Sequence, residues 1–317
     1  WRALRRTPPT DQAYEAAVER LARQTVAALR RGPALKPKAG PVVVAPAAVV
    51  TLRVHPLPGR GDVTTIGAAL ARAKGGERIL VAPGHYRESL VIDQPLELIG
   101  DGPRDDIIVE SEGPAALDFN AAHGVVRNIT FRLTQKEPKN HCVWVQQGRL
   151  ELEDCDLSST GMSCLVVGNG ADPRVRRNRI HDGNHAGILI YDQARGTYED
   201  NEVFGNALAG IEVRTGADPV VRRNRIYDGK TGGIFVWDQG RGTYEGNEVF
   251  GNALAGIKVK ADGNPTVRKN RISGNREAGV VVLEGGAGVF DDNDLRGNNG
   301  KAWVIHRSAE PQVKRAR

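Results

Sequence analysis

The sequence predicts an all-β solenoid, a coil of short parallel strands that returns to the same place every 23 residues. Three observations predict it. Residues 172–217 and 218–263 align with 31 identities in 46 positions. A finer period lies inside that one, because Asn178, Asn201, Asn224, Asn247, Asn270 and Asn293 fall 23 residues apart without a slip. Each unit then reads xVxxNxI, a glycine-rich turn and AGIxVxx, with apolar and polar positions alternating in both pieces as strands require. A fixed period of this size means stacked supersecondary units, and the lack of a helical segment inside it disfavours a leucine-rich repeat.

The elements follow in chain order. Residues 10–31, within a segment of residues 1–32, have the pattern of an amphipathic helix: Thr10 can cap it, Asp11 sits in its first turn, Ala17, Leu21 and Leu29 mark an apolar face, and Gly32 ends it. Residues 33–49 are rich in proline and alanine and read as a linker. The solenoid is expected over residues 50–308. It opens with a short capping helix from Thr64 to Lys74, stopped by Gly75 and Gly76, and then RILVAPG, SLVI and LELIG as strands. No further helix is expected. Residues 309–317 form a basic tail.

Stacking at 23 residues puts equivalent positions above one another at about 4.8 Å. Ile188, Ile211, Ile234, Ile257 and Val280 become one inward file, and Ile190, Val213, Val236, Val259 and Val282 another. The asparagines suit a turn, where the amide both donates and accepts along the stack and the residue tolerates left-handed backbone. Cys155 stands where the next asparagine toward the N-terminus would be, so the ladder fades there.

The net charge of +6 invites a nucleic-acid reading, and its distribution argues against one. Residues 1–39 carry nine Lys/Arg against three Asp/Glu, residues 301–317 five against one, and the span between 30 against 34. Within the repeats, VRRNRI resembles a basic patch only when read linearly. Stacked, Arg176, Glu199, Arg222, Glu245, Arg268 and Asp291 form a file of alternating sign, and Arg179, Glu202, Arg225, Glu248, Arg271 and Asp294 form a second. A third, Arg177, Asp200, Arg223, Gly246, Lys269 and Asp292, has one gap. Alternation needs two coils to repeat, which accounts for the 46-residue period. Cys142, Cys155 and Cys164 show neither disulfide framework nor metal spacing, which fits either a reducing compartment, the cytoplasm being slightly favoured, or small buried hydrophobes, and leaves the localisation open. No cofactor or metal is expected, and no apolar run approaches the ~20 residues of a membrane span. The first residue is Trp1 rather than Met, so a further domain is expected on the N-terminal side of the helix and linker.

The entry stretch TTIGAALARAKGGERILVAPGHYRESLVIDQPLELIGDG and the NxI…G…GIxV repeats resemble right-handed parallel β-helix proteins of the pectin-lyase-like superfamily. The likeness is to its carbohydrate-binding and sugar-hydrolase repeat group, with NosD-like and F-box only protein 11-like repeats. It implies the right-handed fold and leaves function open, since that superfamily holds lyases, hydrolases, epimerases and non-catalytic binding modules. The NTD, GHG and RIK set of polygalacturonases and the DPHD of alginate epimerases are missing from this sequence.

Chemistry is then sought among outward residues of the AGIxVxx strand. Its two outward files include Trp144, Leu189, Glu212, Phe235 and Lys258, and Tyr191, Arg214, Trp237 and Lys260. Aromatic and cationic residues alternate in the second file, so it reads either as a cation–π ladder or as a binding face on which a sugar ring or partner side chain stacks. Asp192 and Asp238 follow the aromatics, two coils apart, with His181 and His185 expected on the preceding turn. The favoured function is a non-catalytic recognition or scaffold module that binds a polysaccharide or protein through Trp144, Tyr191, Phe235, Trp237, Arg214 and Lys260. The alternative is a polysaccharide lyase, hydrolase or epimerase using Asp192 and Asp238 with Arg214 or Lys260. A purely architectural spacer is the third, favoured if a terminal segment covers the aromatics.

Overall fold

The computed structural model describes residues 49–135 and 140–315. The helix expected within residues 1–32, nearly all of the linker, and residues 136–139 of the LTQKEPKNHC stretch lie outside the described residues. Each regular coil is built from three strands of three residues, for example Arg174–Arg176, Arg179–His181 and Ile188–Ile190. Such short strands bury too little apolar surface to stand alone. Stacked, they form three parallel sheets of 12, 9 and 10 strands among the described residues, to which the three strands of a coil contribute in that order. The winding is right-handed, the hand that parallel crossovers adopt.

The 23-residue step holds from Leu152 through Val175, Tyr198, Val221, Tyr244 and Val267 to Phe290. Nearer the N-terminus it does not: Arg53 pairs with Leu80, Leu80 with Ile99, and Leu98 with Val126. The capping helix is Ile66–Arg72, shorter than the pattern suggested. Thr65 Oγ1 accepts from the Ala68 N–H at 3.2 Å, and the Ile66 and Gly67 N–H groups donate to the Glu88 carboxylate at 2.8 and 2.7 Å. Its buried Ile66 and Ala69 pack into the core beside the first strands.

Three features depart from expectation. Gly84–Arg87 is a strand that the sequence concealed, since Tyr86 is its one buried residue. Short 3₁₀ turns occur at Arg104–Asp106 and Glu310–Gln312, where no helix was expected. Val313–Arg315 pairs with Gly288–Asp291 in the twelve-strand sheet, so the fold runs past residue 308 into the presumed tail.

Both inward files of the ten-strand sheet are fully buried as read. A third core file was not foreseen. Val175, Tyr198, Val221, Tyr244, Val267 and Phe290 alternate small and large down the twelve-strand sheet, all at most 1% exposed. Side-chain volume therefore repeats every two coils, as charge does. The two tyrosine hydroxyls reach backbone at the coil edge, donating to the Arg195 and Arg241 carbonyls at 3.1 and 3.0 Å.

The asparagine ladder is continuous from Asn178 to Asn293 and buried as far as Asn270. Asn224 Oδ1 accepts from the backbone N–H and side-chain amide of Asn201, while its own amide donates to the Tyr198 carbonyl and to Asn247 Oδ1, all between 2.9 and 3.0 Å. Left-handed backbone falls on the preceding residue instead of on the asparagine: Arg177, Asp200, Arg223, Lys269 and Asp292 have φ between 48° and 57°. That turn aims the next side chain inward, and the fourth coil meets it with Gly246 at φ 62°. A second ladder, unnoticed in the sequence, runs through Asn252, Asn275 and Asn298, with Asn206 isolated from it by Gly229.

The charge files stack in the expected register. They are not uniformly exposed, however. Glu199 is 2% exposed and takes Arg174, Arg222 and Arg223 at 2.8, 2.6 and 3.0 Å. Glu153 likewise collects Arg127, Arg176 and Arg177. Burial alone would raise the Glu199 pKa, but the guanidinium hydrogen bonds outweigh it and bring the carboxyl from 4.5 to about 2. A carboxyl with a depressed folded pKa stabilises fully above its ordinary value and loses that contribution as pH falls from 4.5 toward about 2. Glu199→Gln is expected to cost about 2 kcal/mol at neutral pH, toward the low side because the arginines stay half-exposed. Urea titrations at stepped pH should show a shallower stability loss for the variant between pH 4.5 and 2; parallel acid limbs would refute this account.

Candidate functional site

The ten-strand sheet carries the outward files in the predicted order, pairing Leu189, Glu212, Phe235 and Lys258 coil by coil. The face has two zones. In the first, Trp144 and Tyr191 pack over Val166, Ala186 and Leu189, so those outward aliphatics are buried beneath rings. His141 and Trp144 meet in a T-shaped contact with ring centroids 6.2 Å apart. Burial, and then the charge of His185, lowers the His141 pKa to about 4, which leaves it neutral at neutral pH.

The second zone is an aromatic and cationic lattice. The Arg214 guanidinium lies between the Tyr191 ring at 5.8 Å and the Trp237 ring at 5.6 Å. Lys260 spans Phe235 and Trp237 at 5.3 and 5.2 Å, Lys258 adds a contact to Phe235 at 5.6 Å, and the two rings stack 5.7 Å apart. Glu212, 6% exposed, lies beneath them, accepting from Trp237 Nε1 at 3.0 Å and facing Arg214 Nε at 3.7 Å. That one carboxylate orients an indole and a guanidinium together. Lys258 and Lys260 have no carboxylate within 4.0 Å among the described residues.

Asp192 and Asp238 sit in tight turns beside this face. Each opens a pair of left-handed residues, Asp192–Gln193 at φ 53° and 59° and Asp238–Gln239 at 48° and 62°. Aspartate is among the few side chains that accept such backbone, so a turn requirement accounts for both. A shallow groove of about 470 Å³ lies at this corner, lined by Arg195, Asp218, Asp238 and Arg241 among others, and Asp192 is not part of its wall. Asp238 there accepts from Thr215 Oγ1 at 2.9 Å. Two strand spacings separate the backbone positions of the two aspartates, about 9–10 Å, and Arg214 and Lys260 are engaged by rings.

His181 is not on a turn near Asp192. It closes the strand Arg179–His181, with Nδ1 2.8 Å from Asp182 and Nε2 3.0 Å from Asp156. Burial lowers its pKa, yet the two carboxylates more than compensate and raise it above 6.5. His181 also starts a ring stack on the nine-strand sheet that sequence reading missed: His181, Phe204, Tyr227 and Phe250, with centroids 4.8, 5.2 and 5.0 Å apart and planes within 10°. Its 23-residue spacing was available, but the changing residue types hid it. The three cysteines are buried and unbridged, and burial raises the pKa of each thiol, that of Cys155 to about 12. No cluster of three or more metal-ligating side chains occurs among the described residues.

Comparison with known proteins accords with this geometry. The family model described as "Right handed beta helix region" matches residues 115–261 and 163–316. The SHC SH2 domain-binding protein 1 homolog B of Xenopus laevis is 27% identical over 128 residues, which are 38% of this chain and 18% of that protein. Among solved structures, the alginate lyase from Paenibacillus sp. str. FPU-7 superposes with a TM-score of 0.58 at 12% identity, covering 83% of this chain and 99% of that one. The pectate lyase Pel9A gives 0.51 at 13% identity, covering 85% and 80%. At such identities these structures share the fold.

Proposed function

This chain belongs to the right-handed β-helix family, and from that premise we propose that it is a non-catalytic recognition module whose ten-strand face binds an acidic polysaccharide. The observation that carries the reading is the lattice of Tyr191, Arg214, Phe235, Trp237, Lys258 and Lys260, in which flat apolar surfaces and cations alternate at one-coil spacing. Sugar rings stack on aromatics, and two lysines without carboxylate partners attract the acid groups. Only buried Glu212 opposes them within the lattice. Asp192 and Asp238 serve turns and stand at separate places, which favours binding over cleavage. A protein ligand is the second reading, favoured by the name of the Xenopus laevis relative, of which this chain matches 18%.

Titration of the full chain with alginate and polygalacturonate fragments tests the proposal. Trp237→Ala is expected to weaken binding about tenfold, the loss of one ring and its cation contacts, with the unfolding transition preserved. Equal affinity in the variant would move the ligand off this face. Shortening of the polymer by wild type but not by Asp238→Asn would replace recognition with catalysis.

A further inference from the structure

The ring stack on the nine-strand sheet ends abruptly. Position by position it runs His181, Phe204, Tyr227, Phe250 and then Ser273, which is in register with Phe250 but has no ring. Phe250 is covered on one side by Tyr227 at 5.0 Å. Beside its Ser273 side is a groove of about 320 Å³, lined by Glu248, Phe250, Gly251, Arg271, Ser273 and Gly274. Two of those residues are glycines, so no side chain of theirs fills it.

The arginines of the same strands have the same break. Arg179 lies over Phe204 at 5.4 Å and pairs with Asp156 at 2.7 Å. Arg225 lies over Tyr227 and Phe250 at 5.2 and 5.5 Å and pairs with Glu202 at 2.8 Å. Arg271 is the third copy, and it has neither ring contact nor ion pair among the described residues. The carboxylates in register with it are engaged elsewhere, Glu248 by Arg225 at 3.6 Å and Asp294 by Arg296 at 2.8 Å. A repeat that stops satisfying itself at one coil leaves a flat apolar surface beside a cation that makes no ion pair among the described residues and acts on Asp294 at longer range, and such departures from a local rule mark functional sites.

We propose that the slot over Phe250 binds a planar aromatic ring bearing an anionic group, the ring taking the place that Ser273 leaves empty and the anion pairing with Arg271. A planar ring is the shape that fills the four preceding positions, and successive positions of the stack are one strand spacing apart, about 4.8 Å. This site is on a different sheet from the polysaccharide face and does not depend on it.

The test is calorimetric titration of the full chain with 2-naphthoate, 2-naphthylmethanol and cyclohexanecarboxylate, which separate ring from charge. Naphthoate is expected to bind at least tenfold more tightly than either of the others. Arg271→Gln should erase the preference for naphthoate over the alcohol. Ser273→Tyr should supply the fifth ring from the chain itself, abolishing binding and raising the melting temperature. Trp237→Ala should leave naphthoate affinity unchanged, so the outcome is independent of the other face. Undetectable naphthoate binding, equal affinity for cyclohexanecarboxylate, or undiminished binding in folded Ser273→Tyr would each overturn the proposal.

Discussion

Asn224→Ala is expected to destabilise the solenoid by about 3–5 kcal/mol, more than most truncations of that size, because it strands several buried polar groups on the preceding coil at once. The backbone N–H and side-chain amide of Asn201 lose their acceptor, and the Tyr198 carbonyl loses its donor. Asn201, Asn224 and Asn247 are all 1% exposed, so water does not substitute without opening the turn. Asn293→Ala supplies the contrast. It removes the acceptor of Asn270 in the same way, but at the partly exposed end of the ladder, where water replaces it at about 1 kcal/mol. Urea midpoints of the two variants measure the difference. Equal losses would show that the ladder acts only through turn geometry.

Deleting residues 201–223 removes one coil, and deleting 201–246 removes two. The shorter deletion is expected to be the more harmful. It places Glu199 on Glu245 and Arg179 on Arg225, strips Arg222 and Arg223 from buried Glu199, and stacks Tyr198 directly on Tyr244 in a core that alternates with valine. The longer deletion puts Arg268 on Glu199, Glu248 on Arg179 and Val267 on Tyr198, restoring all three alternations. Like-charge contacts, a weakened buried carboxylate and overpacking together predict a gap of about 4 kcal/mol in favour of the smaller protein. Denaturant unfolding of both chains decides it, and a one-coil deletion at least as stable as the two-coil one would show that pairwise coil matching is unimportant.

What was legible in the sequence is whatever repeats in kind. The asparagines, the aliphatic files and the charge alternation recur identically at one or two coils, so their stacking could be read directly. The ring stack was missed because histidine, phenylalanine and tyrosine share a plane and not a letter. The second ladder was missed because Gly183 and Gly229 interrupt it. Burial of Glu199 was invisible for another reason: its three arginines come from positions 174, 222 and 223, and a single file cannot show that neighbouring columns converge. At the candidate face, the files predicted which side chains are neighbours. They did not predict that Glu212 would lie beneath Trp237 and Arg214, because a one-letter alternation says nothing of depth.

The constant register step bears finally on how such a chain reaches its structure. Between Leu152 and Phe290, each strand pairing in the twelve-strand sheet closes a loop of one coil, 23 residues, and no pairing there waits for a longer one. Since closure entropy grows only by ~0.6 kcal/mol per doubling of loop length, every new coil faces the same modest barrier. A finished coil meanwhile presents strand edges, the backbone and side-chain amide donors of its asparagine, a carbonyl that accepts from the next asparagine, and a fixed order of charges. Assembly of this region is thus templated growth: the difficult event is the first pair of coils, and each one after it is laid down on a surface already shaped to receive it.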